Sequence, residues 1–280
     1  MILSLVSWLE IIGVYALIGA AFTILERMFP VRTFSAKREH LLDVLTVFYS
    51  FGLKFLFGAF VGTWIVKVAL LPGMGWMGRA HAFLASCPVV VGGIAFFLIS
   101  DFLAYWAHRL NHTRLLWSTH AFHHSAEHLN WASGMRESPV HKVLLLTPSV
   151  IAGLIAPTNG FFATIVIAYG IAHNSFIHSN VRIKGRWINW LFVTGEWHFV
   201  HHAKDLHYGN MNFGFLLTIW DRIFGTFADP ATLPKDYPLG LPYEIGIGRL
   251  ALGLPARASS EEDAPIAGPQ PEAATSTLAD

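Results

Sequence analysis

The sequence predicts an all-α integral membrane protein with about three membrane spans, a helical hairpin and a histidine-rich helical cap on the cytoplasmic side. Three observations support this fold class. The 280-residue chain is 54% hydrophobic and only 13% charged, with a mean hydropathy of +0.48. Ordinary soluble domains carry about 25% charged residues. Several apolar stretches are long enough to cross a bilayer, and the histidines cluster beside their ends.

The apolar stretches cover residues 3–25, 50–71 and 82–100. Each is close to the roughly 20 residues that a helix needs to cross the hydrocarbon core. The second stretch contains Lys54 and Lys67. We expect both lysines to lie near its ends, where their amines can reach the interface.

A fourth apolar region, Val143–Ala172, is interrupted by Pro148, Pro157 and Gly160. This pattern predicts a helical hairpin that enters and leaves the bilayer on one side. A single tilted span is the alternative.

The distribution of Lys and Arg predicts the orientation. Four lie after the first apolar stretch, one after the second and four after the third. This alternation is typical of a chain whose first and third connecting segments are cytoplasmic. It places every histidine cluster on the cytoplasmic side of a multi-pass protein.

Four regions follow from these patterns. They are N-terminal membrane spans (1–89), a histidine-bearing region (90–230), a C-terminal extension (231–250) and a tail rich in Ala, Pro, Ser and Glu (251–280), which we expect to be disordered. The net charge of +1 and the lack of a basic stripe argue against nucleic-acid binding. The single cysteine, Cys87, excludes an intrachain disulfide and a Cys-based zinc motif.

Ten of the 15 histidines fall into four clusters: His108 and His112; His120, His123 and His124; His173 and His178; His198, His201 and His202. Residues three and four apart share one face of a helix, so each H-x-x-H-H triplet can direct its imidazoles to one point. His173 and His178 are five apart, which does not suit a regular helix and requires a helix end, a π-bulge or two elements.

The ten clustered histidines are candidate metal ligands. Neutral imidazole suits Fe, Zn, Cu and Ni, and a structural zinc site closes with four ligands. Ten histidines therefore indicate two ions with open positions, and reactive chemistry beside a membrane favours iron and dioxygen. We interpret His40, His81 and His141 as ordinary polar residues, and leave His128 and His207, near the triplets, undecided.

Metal-bound histidines usually donate their second ring N–H to an outer acceptor. The candidate acceptors near the clusters are Asp101, Glu127, Asn174, Glu196, Asp205 and Asn212. Asp101 stands two helical turns before His108 on the same face. A carboxylate there is unfavourable without a partner.

Several motifs together resemble the fatty acid hydroxylase/sterol desaturase superfamily. They are D-x-x-x-Y-W-x-H-R-x-x-H over 101–112, H-x-x-H-H-S-x-E over 120–127, H-x-x-H-H over 198–202, N-F-G over 212–214 and W-D-R-I-F-G-T over 220–226. Asn130, Arg136 and Ser138 are similar to a further segment of that family. The segment 204–210 departs from the commonest spacing and includes His207.

This resemblance implies a fatty acid hydroxylase-like catalytic region over 90–230 and a membrane-bound non-haem di-iron oxygenase. Such enzymes use O₂ and two electrons to hydroxylate or desaturate a C–H bond of a lipid. It implies two Fe ions, a lipid substrate and an external electron donor, a ferredoxin or cytochrome with its reductase, because the chain has no dinucleotide-binding glycine motif. The candidate aromatic lining groups are Phe96, Phe97, Phe102, Tyr105, Trp106, Phe161, Phe162 and Tyr169.

Two other classes remain open at this point. A non-catalytic membrane metal- or haem-binding protein would also need buried histidines, although a transporter places polar groups at mid-bilayer. A zinc hydrolase would need only three ligands and a general base. Ten histidines clustered beyond the ends of the spans disfavour both.

Overall fold

The regular structure is helical throughout the part of the chain that can be described. The computed structural model describes residues 5–33, 37–69, 71, 74–157, 160–183, 186–234 and 236–256, and these contain no β-strand. The α-helices are α1 (Leu5–Met28), α2 (Lys37–Ala69), α3 (Gly75–Ala85), α4 (Val89–Asn111), α5 (Trp117–His120), α6 (Pro139–Ile155), α7 (Gly160–His178), α8 (Arg186–Leu191), α9 (Gly195–His201), α10 (Leu206–Gly209), α11 (Ile219–Ile223) and α12 (Ile247–Ala251). Short 3₁₀ helices cover His123–Ser125, Ser133–Met135 and Pro230–Thr232.

The long helices α1 and α2 pack beside α7 and α6, and one end of each reaches a group of short helices and loops. The short helices and loops of residues 112–138 and 179–256 form a cap over that end. Near the end of α1, Glu26 Oε1 accepts hydrogen bonds from the backbone N–H groups of Trp131 (2.7 Å) and Asn180 (3.0 Å). Near the start of α2, buried Asp43 pairs with Arg136 of the cap. α1 therefore runs towards the cap and α2 away from it.

The apolar region after residue 143 forms two helices that leave the cap and return to it. His141, in the first turn of α6, and His178, the last residue of α7, lie with their rings 5.5 and 4.9 Å from that of His123. Pro148 lies inside α6, which ends at Ile155 with Ala156 as its C-cap, just before Pro157. Both ends meet the same cap residue, so α6 leads away from the cap and α7 leads back to it.

Two helices among the described residues are long and apolar enough to cross a membrane, Glu39–Val68 within α2 and Val89–Asn111, which is α4. The predicted boundaries differ from these. The stretch 82–100 is divided by a break at Ser86–Pro88, and the second span begins well before residue 50. Lys54 therefore lies midway along its helix, whereas the sequence suggested a position near an end.

The predicted tail falls largely on residues 257–280, which lie outside the described residues. Its first six residues have defined contacts instead. Ala251 closes α12 and accepts a hydrogen bond from the Tyr49 hydroxyl at 2.8 Å, and Pro255 O accepts two from Arg249.

A buried polar network joins α2 to the cap. Asp43 Oδ1 accepts a hydrogen bond from Arg136 Nε at 2.5 Å. The other carboxylate oxygen of Asp43 accepts hydrogen bonds from the Asn130 amide and the Ser133 hydroxyl. Asp43 and Arg136 are almost completely buried, at 0% and 1% exposure. Burying two charges is favourable only when they are paired and hydrogen-bonded, so this network fixes the cap relative to α2.

Replacing Asp43 by Ala leaves the buried Arg136 guanidinium without its counterion. We expect the free energy of unfolding to fall by about 3–5 kcal/mol, the usual effect of breaking one side of a buried pair. Denaturation of the detergent-solubilised protein measures this change. The control is Glu39→Ala on the same helix, which removes a partly exposed contact with His128 (2.9 Å) and should change stability by about 1 kcal/mol or less. Equal effects of the two substitutions would contradict the role of Asp43.

Candidate metal centre

Nine of the ten candidate ligands lie in two adjacent groups made of histidine alone. One group contains His108, His112, His120, His124 and His201, and the other contains His123, His178, His198 and His202. Within each group, one ring nitrogen from every member lies within 4.8 Å of all the others. We call them the five-histidine group and the four-histidine group.

Each H-x-x-H-H triplet divides its imidazoles between the two groups. His120 and His124 belong to the five-histidine group, whereas His123 belongs to the four-histidine group. The triplet formed by α9 and its C-cap residue His202 divides in the same way, since His201 joins one group and His198 and His202 join the other. Because each triplet contributes to both groups, the groups are held side by side.

The nitrogen separations fit metal coordination. In the five-histidine group, His124 Nε2 lies 3.1 Å from Nε2 of both His112 and His120. In the four-histidine group, His198 Nε2 lies 3.0 Å from His178 Nε2 and 3.1 Å from His202 Nε2. Two nitrogens each about 2.1 Å from one ion and at right angles to each other are about 3.0 Å apart.

Two ring nitrogens of the five-histidine group have no hydrogen-bond partner within the described structure. They are His108 Nε2 and His201 Nε2, and both are buried. A buried polar atom without a partner is unfavourable by about 1–3 kcal/mol. A cation bound to these nitrogens would remove that penalty, so the residues present fit a metal ion.

The environment keeps these imidazoles neutral, which is the form that binds a metal. Burial away from water lowers the pKa of the grouped histidines in the cap well below the ordinary 6.5, and the neighbouring imidazoles lower it further. This holds for His112, His120, His123, His124, His198, His201 and His202. Each is ready to bind without first releasing a proton at neutral pH.

Backbone carbonyls orient several of the rings through their second nitrogen. His108 Nδ1 lies 2.9 Å from Phe213 O, His201 Nδ1 2.8 Å from Met211 O, and His178 Nδ1 2.8 Å from Asn174 O. These contacts place the Nδ1 proton on the outer side of each ring and leave Nε2 for the group.

Two buried carboxylates fix the loop that supplies one of these carbonyls. Asp221 accepts from the backbone N–H groups of Phe213 (2.8 Å) and Gly214 (2.9 Å). Asp101 accepts from those of Leu216 (2.8 Å) and Leu217 (3.2 Å), and from the Trp220 indole. The pKa of Asp221 is raised to about 6. Burial causes this rise, and the hydrogen bonds from the Thr226 hydroxyl and the two backbone N–H groups partly oppose it. The loop 213–217 is thus held from both sides against His108.

None of the six predicted outer acceptors forms a side-chain hydrogen bond with a ring nitrogen of the grouped histidines in the described structure. Asp101 acts through the loop 213–217, and Asn174 contributes its backbone oxygen to His178. Asn212, with a positive φ of 58°, binds Ala228. Exposed Asp205 caps α10, and Glu196 is half-buried in the first turn of α9. The side chain of Glu127 is exposed. An amide side chain that does contact an outer ring nitrogen is that of Asn210, with Oδ1 3.2 Å from His112 Nδ1.

The structure places two histidines differently from their sequence interpretation. His173 lies outside both groups, and its Nε2 is 2.6 Å from Phe215 O. His141, interpreted as an ordinary polar residue, is buried with Nε2 3.1 Å from His120 Nδ1. The sequence offered no signal for His141, because it stands 17 residues after the nearest triplet.

The remaining histidines are outside the groups. His128 contacts Glu39, His207 is exposed, and His81 Nδ1 lies 3.2 Å from Leu154 O at the far end of α6. Of the candidate aromatic lining groups, Phe96, Phe97 and Tyr169 line a cavity between the long helices. Phe102, Tyr105 and Trp106 pack instead against Phe224, and the side chains of Phe161 and Phe162 lie outside the described residues.

The sequence from residue 93 to 226 matches the fatty acid hydroxylase family, and this segment contains all nine grouped histidines. The match covers just under half of the chain. This finding confirms the resemblance seen in the motifs. No solved structure matches the chain.

The chain is also similar to several curated proteins. The chain is 27% identical to an ornithine lipid hydroxylase from Rhizobium tropici over 85% of its length and 72% of the relative. It is 30% identical to alkylglycerol monooxygenase from Xenopus tropicalis over 47% of its length. It is 27% identical to human lathosterol oxidase over 70% of its length and 67% of the relative. The chain spans only 29% of the Xenopus protein.

The stability of the metal-free protein should depend on pH in the acidic range. Unfolded histidines take up protons below about pH 6.5, whereas the buried ones resist protonation because their pKa is lowered. Stability should therefore be constant above pH 7 and fall as the pH drops through 6.5 to 5. Thermal unfolding of the chelator-treated protein measures this slope. His202→Ala should reduce the slope and His207→Ala, at an exposed site, should not; equal slopes would contradict the burial argument.

Gly134 is required for the four-histidine group. A Cβ at this position would lie 2.6 Å from both Asn174 Nδ2 and His178 Nδ1. Gly134→Ala should therefore displace His178 and lower the metal bound per chain by about half, because one group of two is affected. Gly170→Ala is the control, since its Cβ would meet nothing within 4 Å. A wild-type metal content in Gly134→Ala would contradict this contact.

Proposed function

We propose that this protein is a membrane-bound non-haem di-iron oxygenase that hydroxylates, or desaturates, a C–H bond of a lipid with O₂ and external electrons. The observation that carries the proposal is the pair of buried, adjacent, all-histidine groups inside a fatty acid hydroxylase domain. Relatives named as lipid hydroxylase, monooxygenase and sterol oxidase support the same class.

We assign one iron ion to each group. The proposed ligands are His108, His112, His120, His124 and His201 for one ion, and His123, His178, His198 and His202 for the other. His173 is left out of this set. Iron bound in this way supplies the reduction of O₂ and the oxidation of an unactivated C–H bond. Imidazole nitrogen is a ligand type that iron accepts.

The protein's own residues position and shield the site. The carbonyls of Phe213, Met211 and Asn174 hold the rings in one orientation. Asp101 and Asp221 keep the loop 213–217 in place. Apolar residues around the groups exclude water, which protects a reactive site from side reactions.

A cavity of about 450 Å³ beside the four-histidine group has the character of a lipid site. Phe96, Phe97 and Tyr169 line it, and so does Asn174, whose backbone oxygen orients His178. Its volume lies within the usual range of small-molecule sites. The cavity lies between the long apolar helices, where a lipid can enter from the bilayer.

The topology that fits these features is multi-pass, with the cap and both ions on the cytoplasmic side. α1, α2, α4, α6 and α7 alternate in direction relative to the cap, as a chain that repeatedly enters and leaves the bilayer does. The distribution of Lys and Arg favours the cytoplasm for the cap side. The electrons come from a ferredoxin or cytochrome with its reductase on that side.

The alternative of a haem-binding or non-catalytic metal-binding protein has no support from the site. Facing nitrogens in each group are 3.0–3.2 Å apart, which leaves no room for a porphyrin between them. Nine ligands in two groups also exceed what one zinc hydrolase site uses.

The metal content tests the assignment of the two groups. The purified protein should contain two iron ions per chain, and His202→Ala, which removes a ligand of the four-histidine group alone, should lower the content towards one. Elemental analysis with a spectroscopic assay for iron measures this. His207→Ala, at an exposed position, should keep both ions. A single haem with a Soret band would contradict the assignment.

Lipid profiles test the activity. A strain from which the gene has been deleted should lose a hydroxylated or unsaturated lipid. Wild type should restore that lipid and His123→Ala should not, because His123 belongs to the four-histidine group. Mass spectrometry of total lipids measures the product, and complementation with His207→Ala is the matched control. Identical profiles in all strains would count against a lipid oxygenase.

A further inference from the structure

The cavity contains one feature that an apolar chain does not require. Lys54 of α2 lines its wall together with aliphatic and aromatic residues such as Phe96, Leu145 and Tyr169. Lys54 makes no hydrogen bond or ion pair within the described residues, whereas the other charged lining groups all do. A cation in such surroundings is unfavourable unless an anion or water satisfies it.

The other charges of the cavity wall are already neutralised or satisfied. Glu137 Oε2 pairs with Lys142 Nζ at 2.6 Å, and Ser50 binds both partners. Asp101, on α4, accepts from two backbone N–H groups and the Trp220 indole. Lys54 is therefore the charged group of the cavity wall that has no hydrogen-bonded counterion among the described residues.

The position of Lys54 along the helix prevents the usual escape to water. It stands 15 residues after Glu39 and 14 before Val68 in the apolar helix of residues 39–68. At about 1.5 Å per residue, each end is more than about 20 Å away, which a four-carbon stem does not span. Towards the cap, the residue one turn earlier is Ser50, whose hydroxyl is already bound by Glu137 and Lys142.

The geometry points to Lys54 as the residue that binds an anionic group, a carboxylate or a phosphate, of the lipid substrate in this cavity. The inference rests on the proposed function and narrows the substrate to lipids with such a group. The ammonium of Lys54 gives the anion a partner, and the apolar walls hold the attached chain. Because the same cavity reaches Asn174 beside His178, the anchored lipid extends to the metal centre.

Equilibrium binding to the full-length, metal-loaded protein in a non-ionic detergent, without O₂, tests this inference. The probes are radiolabelled oleate, 1-oleoyl-lysophosphatidate and methyl oleate, which share one chain and differ in charge. Wild type should bind at least one anionic probe about tenfold more tightly than methyl oleate. Oleate and lysophosphatidate distinguish a carboxylate from a phosphate as the recognised group.

Lys54→Gln should remove this preference and leave the affinity for methyl oleate unchanged, which also shows that the variant is folded. Lys54→Arg should keep the preference. Lys67→Gln is the matched control, because Lys67 lies on the same helix, is exposed and does not line the cavity. Gly170→Leu should weaken all three probes, since Gly170 lines the cavity and a side chain there points into open space.

Two results would overturn the inference: equal affinity of wild type for charged and neutral probes, or a preference that survives in Lys54→Gln. These results differ from a failure of the proposed function. Absence of an oxidised lipid or of iron would refute the oxygenase while leaving a Lys54-dependent preference intact. A normal lipid product without that preference would refute only the role of Lys54.

Discussion

The packing of nine imidazole rings against one another, with no carboxylate in either group, is the constraint on which the rest of the structure depends. Neutral rings with nitrogens 3.0–3.2 Å apart satisfy one another only in part, and His108 and His201 each keep a buried nitrogen without a partner. Such an arrangement is stable as a cation-binding shell and poorly stable otherwise. The helices, the loop 213–217 and the network around Asp43 all serve to hold this shell together.

The shell is supported mainly by the backbone. The backbone carbonyls of Phe213, Met211 and Asn174 accept hydrogen bonds from histidine rings. Asp101 and Asp221 act indirectly, because they bind the backbone of the loop that carries Phe213. Backbone acceptors cannot rotate away as side chains do, so the rings are fixed by the fold itself. A substitution outside the histidine groups, at Asp221 for example, therefore acts on the same site as the loss of a histidine from a group.

The parts of the site that depend on local spacing could be predicted from the sequence, and those that depend on distant contacts could not. The triplets at 120–124 and 198–202 and the pair at 108 and 112 gave eight of the nine grouped histidines, because positions three and four apart share a helix face. His173 was expected among the ligands but lies against Phe215 O. His141 and Lys54 gained their roles from neighbours far along the chain, which no local pattern reveals.

The way that α9 divides its histidines has a consequence for the synthesis of the protein. Both groups take ligands from residues 198–202, which follow the last long helix of the chain. Neither group is therefore complete while the ribosome is still making the long helices. A chain that ends before residue 198 therefore lacks part of both groups and cannot complete either of them.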